Sequence, residues 1–357
     1  MCRSDVLLTG YCIGRCDRLF PIHDLGSAIL TYSELSLPCF HVAAETYCWC
    51  RLPMREGGPK MTRRVFDGWV NLNTPEFAGV FTVDIYDEVS SFFSRAEQMQ
   101  AGTPLPEMIK EMRAAGIERA VLTAYGVEYP ELPEVRCVQG EDVVKAVTER
   151  PDLFTASAGF NSPRAIGGHG DGITAGVRRL KALIDQGLRV FRLVPFNFDR
   201  PPADACFYPY YSLCEQTGTI VSINVGVPGP KGAAWTQDPL HLDRVLRDFP
   251  NLTVIASHGG HPWEEMLVRL MMKYENLYLM TTAYSARYLK PELVSFMRSR
   301  RGRTKVMFAS GWPLLAFDRA VGDALRLDLP DEAMDGYLYA NLERVLKKTA
   351  RPPDGGL

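Results

Sequence analysis

The chain has 357 residues, 46% of them hydrophobic and 23% charged, with a formal net charge of −2. That balance fits an enzyme-sized globular protein with a substantial core. It excludes the clustered basic excess of a nucleic-acid binder, and no apolar run reaches the roughly 18 residues that a membrane helix needs.

Six of the nine cysteines fall in the first 50 residues, at Cys2, Cys12, Cys16, Cys39, Cys48 and Cys50. The remaining three, Cys137, Cys206 and Cys214, lack metal-site spacing, so the main body reads as cytoplasmic with reduced thiols. Residues 1–60 show no period of 2 or 3.6 and end in the linker-like Arg55-Glu56-Gly57-Gly58-Pro59-Lys60. They read as a disordered extension or a gene-start artefact ahead of Met61, with a cysteine-rich partner-binding tail as the alternative. Residues 61–357 read as one domain.

From Arg64 a rhythm sets in: a short β-rich run, a polar loop, a helical pattern, then the next run. Strands are expected at Arg64–Asn71, Arg119–Ala124, Leu153–Phe160, Arg189–Val194, Thr219–Val225, Leu252–Ser257, Leu277–Met280 and Lys305–Ala309. These runs are apolar nearly throughout, as strands buried on both faces of a parallel sheet must be. Thr103-Pro104 opens a helix with a cap and a first-turn proline, and Gly116 stops it. Further helices are expected at Glu141–Arg150, Ala175–Gln186, Pro239–Phe249, Pro262–Tyr274, Pro291–Arg300 and Phe317–Leu327. Eight strands alternating with helices predict an α/β fold of the (β/α)8 TIM-barrel type. No glycine-rich dinucleotide fingerprint follows the first strand, which counts against an open doubly wound sheet. The basic run Arg298–Arg303 reads as a solvated helix end.

Chemistry in such barrels sits at the C-terminal strand ends. That rule selects Trp69 and Asn71, Tyr125 and Glu128, Asn161, Arg192 and Asn197, Asn224, His258 and His261, Thr281, Thr282 and Tyr284, and Ser310, Gly311 and Trp312.

Several of these tips resemble one family. Ser257-His258-Gly259-Gly260-His261-Pro262-Trp263-Glu264-Glu265-Met266 is similar to the His-Gly-Gly turn of the amidohydrolase superfamily, in its amidohydrolase-related branch that includes aminocarboxymuconate-semialdehyde decarboxylase. Val306-Met307-Phe308-Ala309-Ser310-Gly311-Trp312-Pro313 resembles that branch's last-strand motif, and Val65-Phe66-Asp67-Gly68-Trp69-Val70-Asn71 stands where its opening Asp-x-His-x-His does. Gly187–Pro195, Phe249-Pro250-Asn251-Leu252 and Asn341–Leu346 add weaker matches. The resemblance spans about Arg64 to Leu346 and implies a metal held by imidazoles and a carboxylate, with one position open for water.

Carried over by position, the opening imidazoles fall at Trp69 and Asn71, the mid-barrel lysine at Arg192, the next imidazole at Asn224 and the last-strand acid at Gly311. Only His258 is kept. Indole has no lone pair to give, a neutral amide is a poor ligand and a guanidinium does not deprotonate. The expectation is therefore a site without a cofactor, with a single divalent metal such as zinc, bound through Asp67, Asp84, Asp87, Glu88 or His169, as the alternative.

The functional expectation is a hydrolase or lyase (a non-oxidative decarboxylase among the reactions) acting on a small carboxylated or aromatic molecule. His258 is the candidate acid or base, Arg192 a carboxylate clamp, and Asn224 and Asn71 oxyanion donors. Trp69, Tyr125, Tyr284, Trp312 and His261 would complete the substrate wall. A buried guanidinium needs an anion, which for Arg192 is either a ligand or one of Asp67 and Glu128. Against this metal-free enzyme stand a catalytically inactive amidohydrolase-like binding or partner protein and a conventional metal-dependent hydrolase or decarboxylase with unrecognised ligands. The expected partner is a small molecule, not nucleic acid or membrane, with a homo-oligomer left open.

Overall fold

A computed structural model describes residues 63–91, 93–125, 132–160, 172–229 and 231–348, with the side chains of 84–86 excepted. The expectations for residues 1–60, Glu128, Asn161 and His169 lie outside the described residues.

Eight parallel strands follow one another around a single sheet: β1 (Val65–Asn71), β2 (Ile117–Thr123), β3 (Phe154–Gly159), β4 (Leu188–Leu193), β5 (Ile220–Asn224), β6 (Val254–Ser257), β7 (Leu277–Met280) and β8 (Val306–Met307). The sheet returns to its start. Gly68 N–H donates to Phe308 O at 3.0 Å, Gly311 N–H to Trp69 O at 3.0 Å and Asn71 N–H to Trp312 O at 2.9 Å. Closure leaves no edge strand to be satisfied by other means. β8 is shorter than the Lys305–Ala309 expected, because its upper part turns off to make those closing bonds with β1.

The apolar runs serve two cores, as their lack of alternation implied. Inside the barrel Phe66, Trp69, Val121, Val190, Ile220 and Met307 pack together, and Tyr339, Leu342 and Val345 plug its lower end. Outside, the helices lay Met108, Met112, Leu180, Leu242, Leu267 and Leu293 onto the strands. The helix Gly140–Glu149 starts in a capping box in which Gln139 N–H donates to Asp142 Oδ2 at 2.9 Å. In the helix Tyr208–Thr217, opened by Pro209 and ended by Gly218 in the left-handed region, Tyr210 and Tyr211 are fully buried.

Among the described residues, no helix is long and apolar enough to cross a membrane.

Candidate functional site

The strand C-termini open into a cavity of about 870 Å3. Its floor is built by β1, β4, β5 and β6. Trp69 and His258 face each other with ring centroids 5.0 Å apart, and the Arg192 guanidinium lies over the indole at 4.7 Å. Arg192 Nη1 donates to Ala124 O at 2.6 Å, which holds the guanidinium at the floor. Asn224 stands beside it at the end of β5, with its Oδ1 buried and without a hydrogen-bond partner among the described residues. His258 Nδ1 is in the same position.

His258 adopts φ +74°, a left-handed conformation that costs a non-glycine residue energy. The turn around it leaves no choice of shape. Gly260 has φ +80°, and a Cβ there would collide with Leu267 Cδ1. The His258 ring keeps some accessible surface because it faces the cavity, yet the atoms around it are dense. Burial, and then the positive charge of Arg192, push its pKa down to about 3, against a Thr282 backbone hydrogen bond acting the other way. At neutral pH the imidazole is uncharged, which makes it an acceptor and donor of hydrogen bonds rather than a cation.

Asp67 does not pair with Arg192. Its Oδ1 accepts from Trp69 N–H at 3.0 Å and Ser310 N–H at 2.9 Å, tying the tips of β1 and β8. Burial raises its pKa to about 6, against the hydrogen bonds from Ser310 and Trp69.

Of the side chains expected at the site, Trp69, Asn71, Tyr125, Arg192, Asn224, His258, His261 and Tyr284 line the cavity. Trp312 does not. It is fully buried and stacks on Phe317 at 5.5 Å and 7°, so it belongs to the packing between barrel and helix. Asn71 is less available than expected: its Oδ1 accepts from Trp69 Nε1 at 3.0 Å and its Nδ2 donates to Trp312 O at 2.7 Å. Tyr125 donates to Asn73 Oδ1 at 2.5 Å and stacks on Phe81. His261 Nδ1 lies 3.0 Å from the buried Glu264 carboxylate at the mouth.

Sequence reasoning missed Phe81, Phe93, Phe196 and Gln237, which complete the wall. They come from loops and short helical turns, where no strand end marks them. Gln237 Nε2 donates to Gly226 O at 2.8 Å, and its buried Oε1 has no partner among the described residues.

The amidohydrolase family model matches residues 108–351. The chain belongs to the amidohydrolase family. No curated protein matches the sequence. Solved structures resemble this amidohydrolase along most of its length. An uncharacterized TIM-barrel protein from Bordetella bronchiseptica is 24% identical, with TM-score 0.66, covering 81% of this chain and 100% of that one. 5-Carboxyvanillate decarboxylase from Sphingomonas paucimobilis is 14% identical, with TM-score 0.56, covering 80% and 99%. 5-Carboxyvanillate decarboxylase from Novosphingobium aromaticivorans, complexed with manganese and 4-hydroxy-3-methoxy-5-nitrobenzoic acid, is 16% identical, with TM-score 0.57, covering 80% and 96%. At these identities the likeness establishes the shared barrel.

The expectation of a site without a cofactor does not stand against these structures, several of which carry bound manganese. The described residues supply only part of a donor set for such an ion. Among the described residues no three His, Cys, Asp or Glu side chains come together. Asn224 Oδ1 and His258 Nδ1 are the orphaned donors at the floor, and a guanidinium stands beside them. Two such donors are fewer than the three or four ligands of a tightly held divalent metal, so further groups would have to join them around an ion. The side chains of the floor themselves offer an aromatic face, a fixed cation, an amide oxygen and an uncharged imidazole.

Proposed function

We propose that this amidohydrolase is an enzyme that takes a small carboxylated aromatic molecule and cleaves a bond beside its carboxylate, with decarboxylation as the favoured reaction. The observation that carries this reading is the guanidinium of Arg192 laid over Trp69 at the floor of an otherwise largely apolar cavity. Such a floor suits a flat acid: the ring meets Trp69, Phe81, Phe93 and Tyr284, and the carboxylate meets the cation. The names of the solved neighbours, decarboxylases of substituted benzoic acids, support the same substrate class.

Asn224 and His258 would then face the ring substituents. An uncharged imidazole with an unpartnered Nδ1 accepts a proton or hydrogen bond from a ring hydroxyl, which fixes the substrate's orientation. A carboxylate on Arg192 neutralises part of the charge that holds His258 down, so substrate binding itself raises the proton affinity of the imidazole.

The test is binding followed by turnover. Hydroxybenzoates and vanillate-type acids are titrated into the parent and Arg192→Ala, with and without added manganese. Loss of the guanidinium should weaken binding by roughly 10- to 100-fold, the range of a charge-assisted contact. Equal affinity in both proteins would remove Arg192 from the site. Binding with no carbon dioxide release would make the protein a binder of the same ligands rather than an enzyme.

A further inference from the structure

A second cavity, of about 320 Å3, lies at the opposite end of the barrel, among the strand starts. Arg119 comes from the beginning of β2, Thr155 from β3 and Arg189 from β4, and the helix Asn341–Lys348 lays Glu343, Leu346 and Lys347 over them. Among the described residues, three cations therefore share this pocket with one carboxylate. That carboxylate is already engaged: Glu343 pairs with Lys347 at 3.2 Å and accepts from the Tyr339 hydroxyl at 3.2 Å. The Arg119 guanidinium rests on the Phe66 ring at 4.6 Å. Arg189 reaches the far wall, where Nη2 donates to Leu346 O at 3.4 Å.

Holding these charges together in a half-buried pocket is costly. Burial pushes the Arg189 guanidinium below its ordinary value. An incoming anion would meet cations already partly stripped of water. Two guanidiniums, with a threonine hydroxyl on the strand between theirs, supply the kind of donors that a tetrahedral oxyanion accepts.

We propose that this basal pocket is a second binding site, specific for a small phosphate-type oxyanion and separate from the mouth cavity. The bound oxyanion bridges β2, β4 and the plugging helix, so its occupancy stabilises the lower end of the barrel by mass action.

Inorganic phosphate is titrated calorimetrically into the full chain at constant ionic strength, with chloride as the control. The parent, Arg119→Gln, Lys347→Gln and Arg192→Ala are compared. Saturable phosphate binding in the parent, weakened about tenfold in Arg119→Gln, weakened in Lys347→Gln and unchanged in Arg192→Ala, is the expected result. Lys347 is exposed at the helix end, so its variant keeps the test open should Arg119→Gln fold poorly. Absence of saturable binding in the parent overturns the proposal. So does binding that survives both basal substitutions, or that disappears with Arg192.

Discussion

Replacing His258 by asparagine should flatten the acid limb of the stability curve. An unfolded histidine titrates near its ordinary 6.5, whereas His258 in the fold is held at about 3. Between those values the unfolded chain binds a proton that the folded chain refuses. Stability contributed at this position is therefore complete above the unfolded value and falls as the pH drops toward the folded one. At about pH 4.5 the unfolded histidine is almost fully protonated and the folded one is not; at about 1.4 kcal/mol per pH unit, the parent loses roughly 2–3 kcal/mol relative to pH 7 from this residue alone. Asparagine removes the titration and tolerates the left-handed backbone at φ +74°. Any pH-independent change in packing cancels when each protein is compared with itself. Urea unfolding at both pH values, followed by fluorescence, gives the two differences. The variant should lose roughly 2–3 kcal/mol less than the parent on acidification. Parallel losses would refute the claim that burial and Arg192 together keep this imidazole uncharged.

Asp67 acts with the opposite sign. Its folded value of about 6 exceeds the unfolded 3.8, so the folded state keeps a proton that the unfolded state gives up, and stability falls as the pH rises through that window. Asp67→Asn, which preserves the acceptor for Trp69 and Ser310, should be flat there and at about pH 8 more stable than the parent by roughly 1–3 kcal/mol. Denaturant titrations at about pH 5 and 8 read the difference, and a variant less stable at the higher pH would count against it. Gly260→Ala places a methyl against Leu267 in a left-handed turn, and a loss of about 2–4 kcal/mol is expected from strain and overpacking combined. Thermal unfolding checks it; a neutral change would mean that the turn around His258 can relax.

The barrel was legible because of a single physical constraint. Strands covered on both faces must be apolar throughout, and the eight such runs, separated by capped helices, left few other topologies. The strand-end rule then found most of the floor, since Trp69, Arg192, Asn224 and His258 each sit at or next to a strand end in sequence. It failed at Trp312, whose position after β8 resembles that of the others. The chain there turns to hydrogen-bond with β1, and the indole swings onto Phe317. It also missed Gln237 and Phe81, because loop conformation, not strand register, carries them to the wall.

Residue type alone established the apolar runs, the caps, the retained imidazole and the places where imidazole and carboxylate give way to indole, amide, guanidinium and glycine. The charge state of His258, the orphaned oxygen of Asn224 and the gathering of Arg119, Arg189 and Lys347 under the barrel were decided only by closure. Burial and electrostatic coupling depend on which strands become neighbours and how densely they pack, and distance along the chain carries neither quantity.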